Sequence, residues 1–222
     1  MRGIDRRTLV GGACVIGTAK RSSAETRIGV DRFGSTGSTV YLLHGSDGLS
    51  NAGRYQFAAQ MIANAGYSVL LPRYFEATGD SRARYGDIRS KYVIWLRTLE
   101  AILAEPPRGT EPDRVAVVGF SLGGALALSL ASRSPRIRAV VDFFGFEPEG
   151  LAAGRRLPPT LILHGDADRV VPVANARAIE RVIKSQGGTV ESRIYAGEGH
   201  GLSLASLPDA IGRAQGFLRQ HL

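Results

Sequence analysis

The stretch that decides the fold is Val115-Ala116-Val117-Val118-Gly119-Phe120-Ser121-Leu122-Gly123-Gly124, which begins as an apolar run and ends in glycines. The four apolar residues at its start predict a strand that is buried on both faces. The residues from Gly124 to Leu130 are good helix formers, so a helix is predicted directly after the turn. A strand, a sharp turn and a helix, in that order, are typical of α/β proteins with a parallel sheet.

The turn in this stretch carries a chemical motif. Residues 119–123 read G-F-S-L-G and fit the pattern G-x-S-x-G. Between a strand and a helix this pattern predicts a nucleophile elbow, in which a strained backbone presents the serine hydroxyl. The strain requires nearly side-chain-free residues two positions before and after Ser121, and Gly119 and Gly123 meet that requirement. Gly124 is expected to let the helix lie close to the neighbouring strands. The alternative is an ordinary glycine-rich turn.

The composition is that of a globular protein. The 222 residues suit one domain of moderate size, and 44% of them are hydrophobic while 22% are charged. Half of the net charge of +8 lies in the first 24 residues, and the basic residues of the remainder are scattered. Nucleic-acid-binding tails have dense basic runs, so no nucleic-acid partner is predicted.

The first 24 residues are predicted to be an export signal. Arg6 and Arg7 precede a mildly apolar run over 9–19, which is too short to span a membrane and suits the core of a signal peptide. Small residues at 22–24 predict cleavage after Ala24, which leaves a periplasmic or secreted domain without stable membrane insertion. The paired arginines resemble a twin-arginine signal. The alternative is a cytoplasmic protein whose N-terminus is frayed or packed as a short helix.

Cys14 is the one cysteine of the chain, and it lies inside this segment. The predicted mature domain, 25–222, therefore contains none. Disulfides, cysteine-based zinc sites and a cysteine nucleophile are excluded for that domain.

From residue 26 the chain alternates predicted strands and helices. Strands are predicted over 39–43, 68–71, 115–118, 139–144, 160–163 and 190–195, and helices over 55–65, 91–104, 124–130, 174–185 and 209–220. The helix over 91–104 is expected to bury Val93 and Ile94 together with later apolar residues. Strands that are separated by single helices predict a mostly parallel sheet with helices on both faces. Ligands bind at the carboxyl ends of such strands. Residues 145–159 are too few for a large lid.

Two carboxylates follow the strand predicted over 160–163. Asp168 is the predicted partner of a catalytic base, because it lies further out on the loop. Asp166 is interpreted as a turn former. Asp142 also lies in a strand pattern, but apolar residues flank it, so a structural role is predicted for it.

The base is chosen among four histidines. His44 and His164 each end a strand in a His-Gly pair, where the ring usually braces the turn. His221 is one residue from the C-terminus and is expected to be mobile. His200 lies in a glycine-rich loop between the last strand and the last helix, from which its imidazole could reach over the sheet. His200 is therefore the predicted base, and the alternative is a surface loop histidine.

The order Ser121, Asp168, His200 along the chain is that of the α/β-hydrolases. Two backbone N–H groups are expected to form the oxyanion hole of the site. One is that of Leu122, directly after the nucleophile. The other is that of Ser46, in the glycine-flanked loop after the first predicted strand. The alternative for this loop is a plain turn.

Four segments resemble the dienelactone hydrolase family, a branch of the α/β-hydrolases. They are G-F-S-L-G-G-A-L-A at 119–127, L-L-P-R-Y-F at 70–75, F-F-G at 143–145 and H-G-D-A-D-R-V-V-P at 164–172. The resemblance covers residues 40–218 and implies the α/β-hydrolase fold and a hydrolase activity. Two positions depart from the family together. Members that open dienelactones have a cysteine where this chain has Ser121 and a glutamate where it has Gly45.

These two departures are chemically consistent with each other. A neighbouring group can hold a thiol as thiolate, whereas a serine hydroxyl cannot be held ionised and needs a histidine base during attack. The resemblance and the residues together predict a carboxylesterase in place of a dienelactone-opening enzyme. Ser121 would attack the carbonyl, His200 would take and return the proton, and Asp168 would fix the ring of His200.

The predicted substrate is a small-molecule ester. The missing lid predicts an open site for short-chain or otherwise accessible acyl groups. Neither a cofactor nor a metal is implied. Two other functions stay open: an acyltransferase or peptidase that uses the same triad, and a catalytically inactive binding protein with the hydrolase fold.

Overall fold

The structure, a computed structural model, describes residues 28–35, 37–50, 52–106 and 111–222. The predicted export segment and Cys14 lie outside these residues. Within the described part, no helix is long and apolar enough to cross a membrane.

Seven strands of the described chain form one sheet. They are β1 (Val30–Phe33), β2 (Ser38–Leu43), β3 (Ser68–Pro72), β4 (Glu111–Phe120), β5 (Ile137–Phe143), β6 (Thr160–Gly165) and β7 (Val190–Tyr195). The spatial order is β1-β3-β2-β4-β5-β6-β7. Every neighbouring pair is parallel except β1 with β3. The mostly parallel sheet is thereby confirmed. β1 was not predicted, because a short and half-exposed edge strand contains no continuous apolar run.

Five helices cover the two faces of the sheet. They are α1 (Ala52–Asn64), α2 (Tyr85–Ala104), α3 (Leu122–Ala131), α4 (Ala174–Ser185) and α5 (Leu207–His221). Side chains alternate between the faces along each strand, so Val40 and Leu42 of β2 pack with α1 and α5, while Tyr41 and Leu43 pack with α2, α3 and α4. Residues 145–159 hold one short 3₁₀ turn, Leu151–Ala153, and no large lid.

Helix α2 differs from its prediction. It begins six residues earlier, at Tyr85, where the side chain of Asp87 accepts a hydrogen bond from the backbone N–H of Arg84 at 3.2 Å. Its buried face consists of Trp95, Leu96, Leu99 and Leu103. Val93 and Ile94 are about half exposed, at 48% and 46%, so the prediction that they are buried is wrong. The bulky Trp95 sets the rotation of the helix and turns these two aliphatic residues outward.

Candidate active site

Ser121 lies at the sharp turn between β4 and α3. Its φ of 55° and ψ of −116° fall where residues other than glycine are strained. Its backbone N–H donates to the carbonyl of Phe143 at 2.9 Å, which ties the turn to β5. A Cβ atom at Gly119 would overlap the carbonyl of Gly123, and one at Gly123 would overlap the carbonyl of Leu43. The glycine requirement that the sequence predicted is therefore steric.

Gly124 brings α3 against Asp142, since a Cβ atom at position 124 would overlap the carboxylate of that residue. Asp142 is fully buried and accepts a hydrogen bond from the backbone N–H of Gly145 at 3.0 Å. Burial raises the pKa of Asp142 to about 7. Its position between α3 and the turn after β5 agrees with the predicted structural role.

The structure brings Ser121, His200 and Asp168 together. Nε2 of His200 lies 2.9 Å from Oγ of Ser121, and Nδ1 of the same ring lies 2.8 Å from Oδ2 of Asp168. When Nδ1–H donates a hydrogen bond to the carboxylate, Nε2 carries no proton and faces the hydroxyl as an acceptor. The ring packs edge-on against Phe144 at 5.0 Å between centroids. This is the geometry of a nucleophile, a base and a group that orients the base.

The backbone of its own loop holds Asp168 in place. The Oδ1 atom accepts hydrogen bonds from the N–H groups of Val170 and Val171 at 2.8 and 2.9 Å, so Oδ2 is directed to His200. His164 lies beneath this carboxylate, with Nε2 3.4 Å from Oδ2 and 2.8 Å from the carbonyl of Val171. Burial lowers the pKa of His164, and the neutral ring donates to that carbonyl and braces the turn.

Asp166 has a different role in the same loop. Its Oδ1 accepts a hydrogen bond from the N–H of Gly197 at 2.7 Å, and the N–H of Ala167 donates to the carbonyl of Glu198 at 3.0 Å. Both contacts tie the loop after β6 to the loop that carries His200. Asp166 is thus a turn former, as the sequence suggested, and it holds the two loops in register.

The remaining histidines do not reach Ser121. His44 is buried, stacks on Tyr74 with centroids 4.0 Å apart, and its Nδ1 donates to the carbonyl of Gly45 at 2.9 Å. Burial lowers the pKa of His44 to about 4, so this ring braces its turn in the neutral form. The prediction that His221 is mobile is wrong: it ends α5, and its ring packs on Phe217 at 4.4 Å.

The loop after β2 lies beside Ser121 and carries Ser46. The backbone N–H of Gly45 donates to Oη of Tyr55 at 2.9 Å, and this hydroxyl donates to Oδ1 of Asp47 at 2.5 Å. The N–H of Gly45 is therefore already hydrogen-bonded, and the N–H of Ser46 is the next one along the loop. Leu122 opens α3, so its N–H lies at the helix N-terminus. Tyr55 was not predicted from the sequence, because its hydrogen bond depends on the path of a loop eight residues away.

Ser121 and His200 open into a cleft of about 1260 Å³. The cleft is lined by the Ser46 loop, by the loop that carries His200, and by residues of α1 and α5. Among the described residues, no group of three or more His, Cys, Asp or Glu side chains is arranged to hold a metal ion.

The fold and the site define an α/β-hydrolase: a mostly parallel sheet with helices on both faces, and a Ser–His–Asp arrangement at the carboxyl ends of its strands. Residues 40–210 match the family model described as the dienelactone hydrolase family, and the chain belongs to that family.

Curated relatives and solved structures agree with this assignment. A carboxymethylenebutenolidase homolog of Xenopus tropicalis is 25% identical over 138 residues, which cover 58% of this chain and 55% of the relative. A relative from Oryza sativa subsp. japonica, described as a probable inactive carboxylesterase, is 27% identical over 150 residues, or 63% of this chain and 60% of the relative. The chain thus spans less than two thirds of the length of these relatives.

Among solved structures, a protein assigned as a dienelactone hydrolase from Klebsiella pneumoniae has a TM-score of 0.72 at 16% identity. The match covers 87% of this chain and 99% of that one. The esterase PE8 has a TM-score of 0.64 at 27% identity, and the match covers 88% of this chain and 98% of that one. The first likeness concerns the fold alone.

Proposed function

We propose that the protein is a serine carboxylesterase that cleaves small-molecule esters through an acyl-enzyme on Ser121. The observation that carries this proposal is the pair of short contacts made by His200, 2.9 Å to Ser121 and 2.8 Å to Asp168. Membership of the dienelactone hydrolase family and the likeness to esterase PE8 support the same reaction class.

In the first half-reaction Oγ of Ser121 attacks the ester carbonyl while its proton passes to Nε2 of His200. The negative charge on the carbonyl oxygen is stabilised by the N–H groups of Leu122 and Ser46. Collapse of the tetrahedral intermediate breaks the bond to the alkoxy oxygen. His200 gives its proton to the departing alcohol, and the acyl group stays on Ser121.

In the second half-reaction water takes the place of the alcohol. His200 removes a proton from the water molecule while the water oxygen attacks the acyl carbonyl. When the acid leaves, His200 gives this proton to Oγ of Ser121. Asp168 accepts a hydrogen bond from the Nδ1–H of His200 throughout, so it fixes the tautomer and stabilises the charged ring.

The two departures from the family motif favour a simple ester over a dienelactone. Where dienelactone-opening members have a glutamate, this chain has Gly45. A Cβ atom at position 45 would lie 3.1 Å from Oδ1 of Asp47 and 3.1 Å from Oη of Tyr55. The Asp47–Tyr55 pair thus borders the space that a side chain at position 45 would enter. A serine nucleophile with a histidine base does not need the glutamate.

Replacing Ser121 tests the proposal. Ser121→Ala should lower kcat on p-nitrophenyl acetate by about 10⁴- to 10⁶-fold, because the nucleophile and the base act as one unit. A fluorophosphonate probe should label the parent protein at Ser121 and abolish activity. Ser50→Ala is the matched control, since this serine also lines the cleft but has no contact with His200.

The same experiment separates the alternative functions. An unlabelled and inactive parent protein would contradict the proposal and favour a binding protein. A labelled protein that transfers its acyl group to an added alcohol faster than to water would identify an acyltransferase. Cleavage of peptide amides in preference to esters would identify a peptidase.

We also propose that residues 1–24 direct export through a twin-arginine-like signal, on the evidence of Arg6, Arg7 and the short apolar run that follows them. The secreted protein should begin near Glu25, as determined by N-terminal sequencing. Arg6→Lys together with Arg7→Lys should retain the protein in the cytoplasm. Full-length active protein found only in the cytoplasm of the native host would contradict this proposal.

A further inference from the structure

The two faces of the sheet are covered unequally. Among the described residues, three helices pack on one face, whereas α1 and α5 cover the other. Seven strands at about 4.8 Å spacing span roughly 30 Å, and two helices of about 10 Å diameter leave part of that width uncovered. The uncovered part is the section of the cleft that lies between α1 and α5, which we call the α1–α5 groove.

The α1–α5 groove is lined almost entirely by apolar side chains. Its floor is formed by Val118 and Phe120 of β4 and by Phe143 of β5, and the rings of the two phenylalanines stack at 4.7 Å. One wall is formed by α1 through Ala58, Met61 and Ile62, and the other by α5 through Leu207, Ile211, Ala214 and Leu218. Both walls include an alanine, Ala58 in α1 and Ala214 in α5.

The groove is long and leads away from the reacting atoms. Leu207 and Leu218 both line it, and 11 residues of helix at about 1.5 Å each correspond to roughly 16 Å. Nε2 of Gln215 donates to the carbonyl of Met61 at 3.5 Å and bridges the two walls. The groove is continuous with the part of the cleft that contains Ser121 and His200.

We propose that the α1–α5 groove binds the acyl chain of the ester and that the protein prefers linear saturated acyl chains of roughly eight carbons, because the groove is elongated, apolar and continuous with Ser121 and His200. This inference rests on the proposed esterase function and extends it. It also changes the expectation of short acyl groups, which depended on the missing lid alone.

The acyl side of the ester fits the groove better than the alcohol side for a mechanistic reason. The acyl group stays attached to Ser121 while the alcohol departs and water enters. A long alcohol held in the groove would have to leave past the acyl-enzyme before water could reach the carbonyl. When the acyl chain lies in the groove, the alcohol can leave and the water can enter on the side of His200.

Chain-length dependence tests the inference. The kcat/KM of the parent protein should rise from p-nitrophenyl acetate to p-nitrophenyl octanoate by about 50-fold or more, which three buried methylenes supply at about 0.8 kcal/mol each. A flat or falling profile from acetate to octanoate overturns the proposal. Failure to hydrolyse any of these esters, acetate included, would instead reject the proposed function itself.

Two isomeric esters decide which side of the ester lies in the groove. Methyl octanoate and heptyl acetate contain the same atoms, and only the position of the long chain differs. Proton release in a pH-stat should favour methyl octanoate by about tenfold or more, the effect of roughly two buried methylenes. A preference for heptyl acetate would place the alcohol in the groove and overturn the proposal.

Blocking variants locate the effect in the groove. Ala214→Phe from α5 and Ala58→Phe from the opposite wall should each reduce the octanoate-to-acetate ratio of kcat/KM to below about 5, because a phenyl ring displaces the methylenes that supply the preference. Hydrolysis of acetate should persist and shows that each variant is folded. Gln56→Phe is the matched control, since it is exposed on α1 and does not line the groove. A parent-like ratio in both blocked variants would overturn the assignment.

Discussion

Asp142 and Asp168 lie at the same edge of the sheet, one near the end of β5 and the other just beyond β6, and both are buried. Their hydrogen bonds differ. Asp168 accepts from three donors, namely the N–H groups of Val170 and Val171 and Nδ1 of His200. Asp142 accepts from the N–H of Gly145, and its Oδ2 has no partner among the described residues.

The difference shows that burial alone does not determine what a carboxylate does. Three donors fix the position of the Asp168 carboxylate, so that its Oδ2 atom faces the imidazole of His200 and can orient the ring. With one donor, the burial of Asp142 raises its pKa to about 7, so a protonated carboxyl suits its place between α3 and the turn after β5. The same residue type therefore serves the proposed chemistry in the loop after β6, as Asp168, and packing near the end of β5, as Asp142.

The largest expected effect is on the catalytic side of this comparison. Asp168→Asn should lower kcat by up to about 10⁴-fold, because the amide favours the wrong tautomer of His200. Stability should change little by comparison, and steady-state kinetics with a thermal melt measures both. Asp166→Asn is the matched control two residues away and should retain most of the activity. The reverse outcome would show that Asp166 is the acid.

The structural side of the comparison predicts an effect on stability. The pKa of Asp142 is about 7 in the folded protein and 3.8 for the free group. Between these two pH values, folding of the parent protein therefore takes up a proton. The contribution of Asp142 to the free energy of unfolding therefore falls as pH rises from about 4 to 7, by up to about 4 kcal/mol. Asp142→Asn lacks this dependence.

Denaturant unfolding at pH 5 and pH 8 measures the effect. The stability of Asp142→Asn relative to the parent protein should increase from pH 5 to pH 8. Burial lowers the pKa of His44 to about 4, which gives a slope of opposite sign between about pH 4 and 6.5. That slope is common to both proteins and cancels in the difference. A difference that is independent of pH would contradict the interpretation of Asp142.

A third carboxylate at this edge, that of Asp47, accepts a hydrogen bond from Tyr55, whose hydroxyl holds the loop of Ser46. We expect the smallest effect from removing this hydroxyl. Tyr55→Phe leaves the N–H of Gly45 without its acceptor and frees the loop that carries Ser46, so kcat should fall by about tenfold, equivalent to roughly 1.4 kcal/mol. The control Tyr92→Phe removes the hydroxyl of a partly buried tyrosine that does not line the cleft and is hydrogen-bonded to Ser129 at 2.8 Å. Equal losses of activity in both variants would argue against an effect on the oxyanion loop.

The parts of the fold that the sequence predicted are those that local sterics determine. The elbow follows from the glycines around Ser121, because the close approaches at Gly119 and Gly123 involve backbone atoms. The strands buried on both faces were predictable from continuous apolar runs. The choice of Asp168 over Asp166 depended on their spacing along the loop, and the contact of Asp168 with His200 agrees with it.

The parts that escaped prediction depend on tertiary packing. Val93 and Ile94 are as apolar as the residues that α2 buries, and only the packing of Trp95 decides which side faces the core. The packing of His221 on Phe217 was also not predicted. It results from α5 continuing to residue 221. The α1–α5 groove has no signature in the sequence, because it arises from the distance between two helices that each have an ordinary apolar face.

Trp95 is the single tryptophan of the chain, and its position makes it an optical reporter. Its buried ring packs against Phe75 at 4.6 Å, and its Nε1 donates to Thr78 at 2.8 Å. The neighbouring Tyr74 donates to the carbonyl of His44 at 2.6 Å, at the base of the loop that carries Ser46. Tryptophan emission therefore monitors the support of this loop without any substrate, and a variant that leaves the emission maximum unchanged has kept that support intact.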